Sequence, residues 1–187
     1  MPVDKQYLSE RISQVFVQRG YDGATLTHLA QATGLSKATL YHHFPGGKPE
    51  MATTLVHQAI AMMQRLVFTP LSSNPHPEQA LVELIKGFSL YVNHGQSDCL
   101  LAVFSHHSTA NADISGLQIE ISQQFGDWHQ LLAATLIRSG SKPKRAHRQA
   151  HDLLASLYGA LMNAKLHNDP ALFADALNRL RKQFSKT

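Results

Sequence analysis

The stretch TLTHLAQATGLSKATLYHHF, residues 25–44, constrains the fold more than any other segment. Its apolar residues recur at helical spacing in two short blocks on either side of Gly34. Thr27 stands ahead of HLAQAT and Ser36 ahead of KATLYHHF, and either hydroxyl can accept from the free N–H groups of a first helical turn. Ala30 supplies the small side chain needed where two helices cross. Gly34 supplies positive φ in the turn, and Leu40 pins the second helix to a core. Leu26, Leu29 and Leu35 complete the apolar face, so the segment is expected to form a helix-turn-helix.

The rest of the chain is read as helical because apolar residues recur three and four apart and no useful alternating β-branched run occurs. A first helix is expected over about Asp4 to Arg19, with Leu8, Ile12, Val15 and Phe16 on one stripe and Gly20 ending it. A fourth starts near Pro49 and runs to about Phe68, and TPLSSNPHP, residues 69–77, is expected to break the chain. Further helices are expected at about 78–94, 99–110, 113–138, 144–167 and 170–184. The outcome is an all-α fold of about nine helices. A three-helix unit holding the helix-turn-helix, over 1–47, precedes a larger helical domain over 48–187.

Bulk properties exclude several classes. With 187 residues, 43% hydrophobic and 16% charged, the chain has the composition of an ordinary globular protein. No apolar run approaches the roughly 18 residues of a membrane span, and MPVDKQYLSE lacks a secretion pattern, so a cytoplasmic location is expected. The one cysteine, Cys99, rules out an internal disulfide. A net charge of +4 permits a polyanionic partner without demanding one.

TLTHLAQATGLSKATLYHHF resembles the DNA-binding signature of TetR-family regulators, whose second helix ends in a T-L-Y-x-x-F pattern matched by Thr39, Leu40, Tyr41 and Phe44. The resemblance implies a homodimer on a palindromic double-stranded DNA operator, a small-molecule effector pocket in the C-terminal domain, and usually repression. By position it gives Thr27, Tyr41 and Lys48 phosphate contacts. Their hydroxyl, phenol and ammonium groups, aided by helix N-termini, are suitable donors to phosphate oxygens. Base reading falls to Lys37, Ala38, Thr39 and His43, with His28 and His42 secondary and Ser36 at the helix start completing the set. Lysine suits guanine O6 or N7, while alanine and the threonine methyl suit a thymine methyl.

Residues 1–50 hold five basic side chains (Lys5, Arg11, Arg19, Lys37, Lys48) and four acidic ones (Asp4, Glu10, Asp22, Glu50). With so little excess charge, protonation of His28, His42 and His43 is expected to strengthen DNA binding as the pH falls toward about 6. Neutral packing or hydrogen-bonding roles are the alternative for these three.

The C-terminal half carries no catalytic pattern, and no cofactor or metal is expected. Met62, Leu66, Phe88, Tyr91, Val92, Leu101, Phe104, Phe125, Trp128 and Leu132 are candidates for an apolar effector pocket, although a filled core has the same composition. In HDLLASLYGALMNAKL the small residues Ala155, Ser156, Gly159, Ala160 and Ala164 permit close helix approach. The resemblance makes this helix and the last one, with Leu172, Phe173, Ala176, Leu177 and Leu180, the dimer interface. Gly159 costs about 1 kcal/mol relative to alanine in mid-helix, which suggests a tight contact or a kink.

Two rivals remain open as alternatives, a metal-responsive regulator and a helical protein-binding adaptor. His147 and His151 stand four apart and could share an ion, with His106 and His107 as further ligands. An enzyme is not expected, because no Ser-His-Asp spacing, phosphate loop or distinctive carboxylate pair is present.

Overall fold

The computed structural model describes residues 5–105 and 114–185, and every regular element within them is helical. In chain order these are α1 (Lys5–Gly23), α2 (Leu26–Thr33), α3 (Lys37–His43), α4 (Gly47–Met63), α5 (Thr69–Ser73), α6 (Pro77–Tyr91), α7 (Leu100–Ser105), α8 (Ser115–Arg138), α9 (Pro143–His167) and α10 (Pro170–Phe184). The described residues pack as two compact units. One lies within the bounds Met1–Ile60 and Cys99–Ser122, the other within Ala61–Asp98 and Gln123–Thr187.

The first unit is built on the stripe read from the sequence. Leu8, Ile12, Val15 and Phe16 of α1 are buried beside Leu29 of α2 and Leu40 of α3. Gly20 takes φ 66° and kinks α1, so that Tyr21 turns inward and is fully buried. Gly34 adopts φ 71° and its N–H reaches the carbonyls of Ala30 and Gln31, which closes α2 and starts the turn. Among the described residues, its chain neighbours aside, a methyl added there would meet nothing within 4 Å, so backbone conformation and not space requires the glycine.

This unit also takes in α7, which comes from far along the chain. Phe104 meets the ring of Phe16 edge to face at 5.3 Å and lies 6.2 Å from that of Tyr21. The sequence division at 47/48 carries no hint of this insertion, because periodicity identifies an apolar face and not the helix it will cover.

In the second unit the expected break over 69–77 is corrected: Thr69–Ser73 is helical and the chain departs only at Asn74. Pro70 has no N–H to give the carbonyl four residues back, that of Leu66, and its ring crowds that turn. The chain answers with a π-turn over Gln64–Phe68, in which the N–H and hydroxyl of Thr69 both reach the Gln64 carbonyl. The displaced Leu66 carbonyl faces Gly87 of α6, where an added Cβ would lie 1.8 Å from that oxygen. Gly87 is therefore the one residue that lets α6 pack on the widened turn.

α10 packs on α6 and α9 and buries Phe173 and Leu177. Asn93, His94 and Gly95 all have positive φ after α6, and Gly95 is pressed against the Phe173 ring, which an added Cβ would meet at 2.8 Å. Among the described residues no helix is long and apolar enough to cross a membrane.

Candidate nucleic-acid interface

The cap of α2 is Thr25, not Thr27. Its hydroxyl accepts from the N–H of His28 at 3.2 Å, and Thr27 falls inside the first turn. His28 takes the place of the usual glutamate in a capping box, its Nδ1 lying 3.4 Å from the Thr25 N–H and 3.1 Å from the Gly23 carbonyl oxygen. The sequence signal was the T-x-x-H spacing, obscured because histidine rarely fills that position. Thus His28, offered as a secondary base reader, has its ring engaged in holding the helix start.

Ser36 caps α3 as its spacing implied. Its hydroxyl accepts from the Thr39 N–H at 3.1 Å and pairs with the Thr39 hydroxyl at 2.8 Å. Leu40 is fully buried while Lys37, Ala38, Tyr41 and His42 are exposed, so α3 is fastened by one residue and presents the others outward. Thr39 and His43 are half-buried at the edges of this face, with the His42 and His43 rings 5.8 Å apart. Exposed Thr27 and Ser36 lie on the two helix starts.

Beside α3, a surface cleft of about 380 Å³ is lined by Thr25 and Leu26 at the start of α2, Tyr41 of α3, and Gly46, Gly47 and Lys48 at the start of α4. Gly47, with φ 66°, brings the backbone against the Tyr41 ring, where an added Cβ would sit at 3.2 Å. The Glu50 carboxylate accepts the Gly46 N–H at 2.6 Å and occupies one donor of the α4 start. Lys48 donates to the Tyr21 carbonyl at 3.0 Å and lies 4.2 Å from the centre of its ring. Two helix starts, a phenol and an ammonium thus converge on one concave surface, the chemistry suited to a phosphate.

The pocket candidates divide between the units. Phe104 lies in the first, on Phe16 and Tyr21. In the second, Phe68 stacks on Trp128 at 4.6 Å, Phe125 meets Trp128 edge on at 5.1 Å, and Phe88 meets Tyr158 at 5.2 Å. The Trp128 indole N–H donates to the Gln64 side-chain oxygen at 2.7 Å, a polar contact within the apolar cluster that sequence reading missed. Met62 is exposed, and Leu66 and Tyr91 are half-buried.

His147 and His151 meet His129 of α8. Its ring stacks on His151 at 3.9 Å and its Nε2 lies 3.1 Å from the His147 carbonyl oxygen. Stacked rings do not direct their nitrogens at a common point. Among the described residues no group of three or more histidine, cysteine or acidic side chains could hold a metal ion, and His106 and His107 lie outside those residues.

Residues 10–52 match the family model of bacterial regulatory proteins, tetR family, and residues 77–179 match that of the C-terminal domain of LmrA/YxaF-like transcriptional regulators. The HTH-type transcriptional regulator YxaF of Bacillus subtilis is 22% identical over 84% of this chain and 82% of its own length. The HTH-type transcriptional repressor DhaR of Mycobacterium sp. strain GP1 is 24% identical over 88% of this chain and 84% of its own. Among solved structures, AibR in complex with isovaleryl coenzyme A and operator DNA superposes with a TM-score of 0.66 at 18% identity, covering 82% of this chain and 85% of AibR. With the C-terminal model matching more than half of the chain, and the DNA-binding model matching the segment that holds the helix-turn-helix, this protein belongs to the TetR family and is a DNA-binding transcriptional regulator.

Proposed function

We propose that the protein is a homodimeric repressor that occupies a palindromic operator and leaves it when a small molecule binds its C-terminal half. The observation that carries the DNA reading is α3, capped by Ser36, fastened by buried Leu40 and presenting Lys37, Ala38, Tyr41 and His42 to solvent. Lys37, Ala38, Thr39 and His43 read base edges, and Tyr41, Lys48 and the start of α2 around Thr27 grip phosphates. Repression and effector release draw support from relatives: DhaR is named a repressor, and AibR was solved with a coenzyme A thioester and operator DNA. The effector site is assigned to the neighbourhood of Phe88, Phe125 and Trp128, with Met62, Leu66 and Tyr91 around it and Gln64 as its polar group. Such a regulator acts on the chromosome, in the cytoplasm, and performs no chemistry of its own.

Dimerisation uses α9 and α10, although Phe173 and Leu177, read from the sequence as part of that face, are buried within the chain itself and leave half-buried Leu172, Ala176 and Leu180 to it. On α9 the exposed residues Ala155, Gly159, Met162 and Leu166 follow helical spacing, with Met162 59% and Leu166 76% exposed. Among the described residues nothing beyond its own helix turn lies within 4 Å of a Cβ added at Gly159, which leaves room there for another chain.

Selecting bound duplexes from a random pool tests the DNA reading. A palindromic consensus is expected, and Tyr41→Ala should lose its retention while remaining folded. Recovery of no consensus, or full retention by Tyr41→Ala, would overturn it.

A further inference from the structure

We infer that Tyr21 is a positioning residue for DNA binding: it holds the ammonium of Lys48 at the mouth of the phosphate cleft, and α7 in turn holds Tyr21. This rests on the reading of Lys48 as a phosphate contact. A lysine at a helix start is a flexible four-carbon stem, and fixing its charge costs side-chain entropy at the moment of binding unless it is already fixed. Here it is. The ammonium has two anchors on one residue, the Tyr21 carbonyl at 3.0 Å and the face of its ring at 4.2 Å. An ammonium carries three donors, so one directed at the carbonyl leaves others for a phosphate oxygen. Lys48 is only half-buried and lines the cleft together with Tyr41 and Thr25.

The anchor is itself built. Gly20 at φ 66° kinks α1, so that the Tyr21 ring turns into the core while its carbonyl meets α4. The ring lies parallel to Phe16, with 13° between the planes at 6.0 Å, and Phe104 of α7 closes on it at 6.2 Å. The residue that steadies the DNA-facing lysine is thus packed against a helix more than fifty residues beyond it in sequence. A displacement of α7 shifts the Tyr21 ring and with it the charge presented to DNA.

The test measures operator affinity of the full-length protein against salt, using the duplex recovered by selection. Each phosphate neutralised contributes about 0.9 to the slope of log affinity against log salt. Lys48→Ala should lower the slope by about that amount. Tyr21→Leu, which keeps the backbone carbonyl but removes the ring, should weaken binding about threefold to tenfold and lower the slope in the same direction. Tyr21→Phe, which keeps the ring, should restore both. The double variant Tyr21→Leu/Lys48→Ala should bind no worse than Lys48→Ala alone, because the ring acts through the lysine. If Tyr21→Leu does not fold, Tyr21→Met, unbranched and flexible, takes its place. A lowered slope for Lys48→Ala with an unchanged slope for folded Tyr21→Leu or Tyr21→Met, or additive losses in the double variant, would overturn the role of Tyr21 alone. An unchanged slope for Lys48→Ala would overturn the phosphate contact and the positioning role together.

Discussion

Single residues decide whether the recognition helix is both formed and presented. α3 runs only from Lys37 to His43, too short to be stable alone, and depends on its cap and on Leu40. Ser36→Ala removes the acceptor of the Thr39 N–H and should cost about 1 kcal/mol, read as a lower thermal midpoint. Ser36→Asp separates the two demands on this position. Aspartate caps as well as serine and should recover the midpoint, yet its charge lies on the DNA-facing side and should weaken operator binding, most at low salt. Equal operator affinity for the serine and aspartate forms would place Ser36 away from the phosphates. Ser36 was legible in the sequence as a cap. Thr25 was not, because two threonines flank Leu26 and the residue that completes the capping box of Thr25 is a histidine in place of the usual glutamate.

Among the elements, the π-turn at Gln64–Phe68 is the least ordinary and the most informative. Pro70 creates it, the Leu66 carbonyl is displaced by it, and Gly87 accommodates the result. Gly87→Ala should therefore destabilise the second unit by about 3 kcal/mol, the upper end of the cost of overpacking, since backbone and not a flexible side chain blocks the methyl. Urea unfolding followed by Trp128 fluorescence checks this, since that ring stacks on Phe68 of the same turn. An unchanged midpoint would mean that α6 can slide away from the turn at no cost. The sequence showed Pro70 as a breaker, which it would be in an ordinary α-helix. What periodicity could not express was a helix that widens by one residue and continues.

At the scale of the whole molecule, two recognition helices must be held together for a palindrome to be read, and the first fifty residues are only one charge above neutral. Affinity should therefore depend steeply on dimerisation. Met162→Glu with Leu166→Glu places charges on the exposed face of α9 without touching its buried residues Leu157, Leu161 and Ala164. The variant should sediment as a folded monomer and lose operator binding by at least about tenfold, the loss expected when a bivalent contact becomes monovalent. A variant that remains dimeric would move the interface to another face.

The sequence by itself determined most of the helices, the helix-turn-helix and the exposure of Lys37, Ala38, Tyr41 and His42 on α3. These depend on local spacing, the Ser36 cap and one glycine at positive φ, all encoded within a few neighbouring positions. The apolar stripe of α1 was legible for the same reason, and so was the candidate DNA face. The tertiary structure alone decided that α7 joins the first unit, that Phe104 leaves the other aromatic candidates for Phe16 and Tyr21, that Lys48 rests on Tyr21, and that Trp128 donates to Gln64. Each of these joins residues far apart in the chain. An apolar or polar side chain announces that it needs a partner, and only the packing of the complete chain determines which partner it meets.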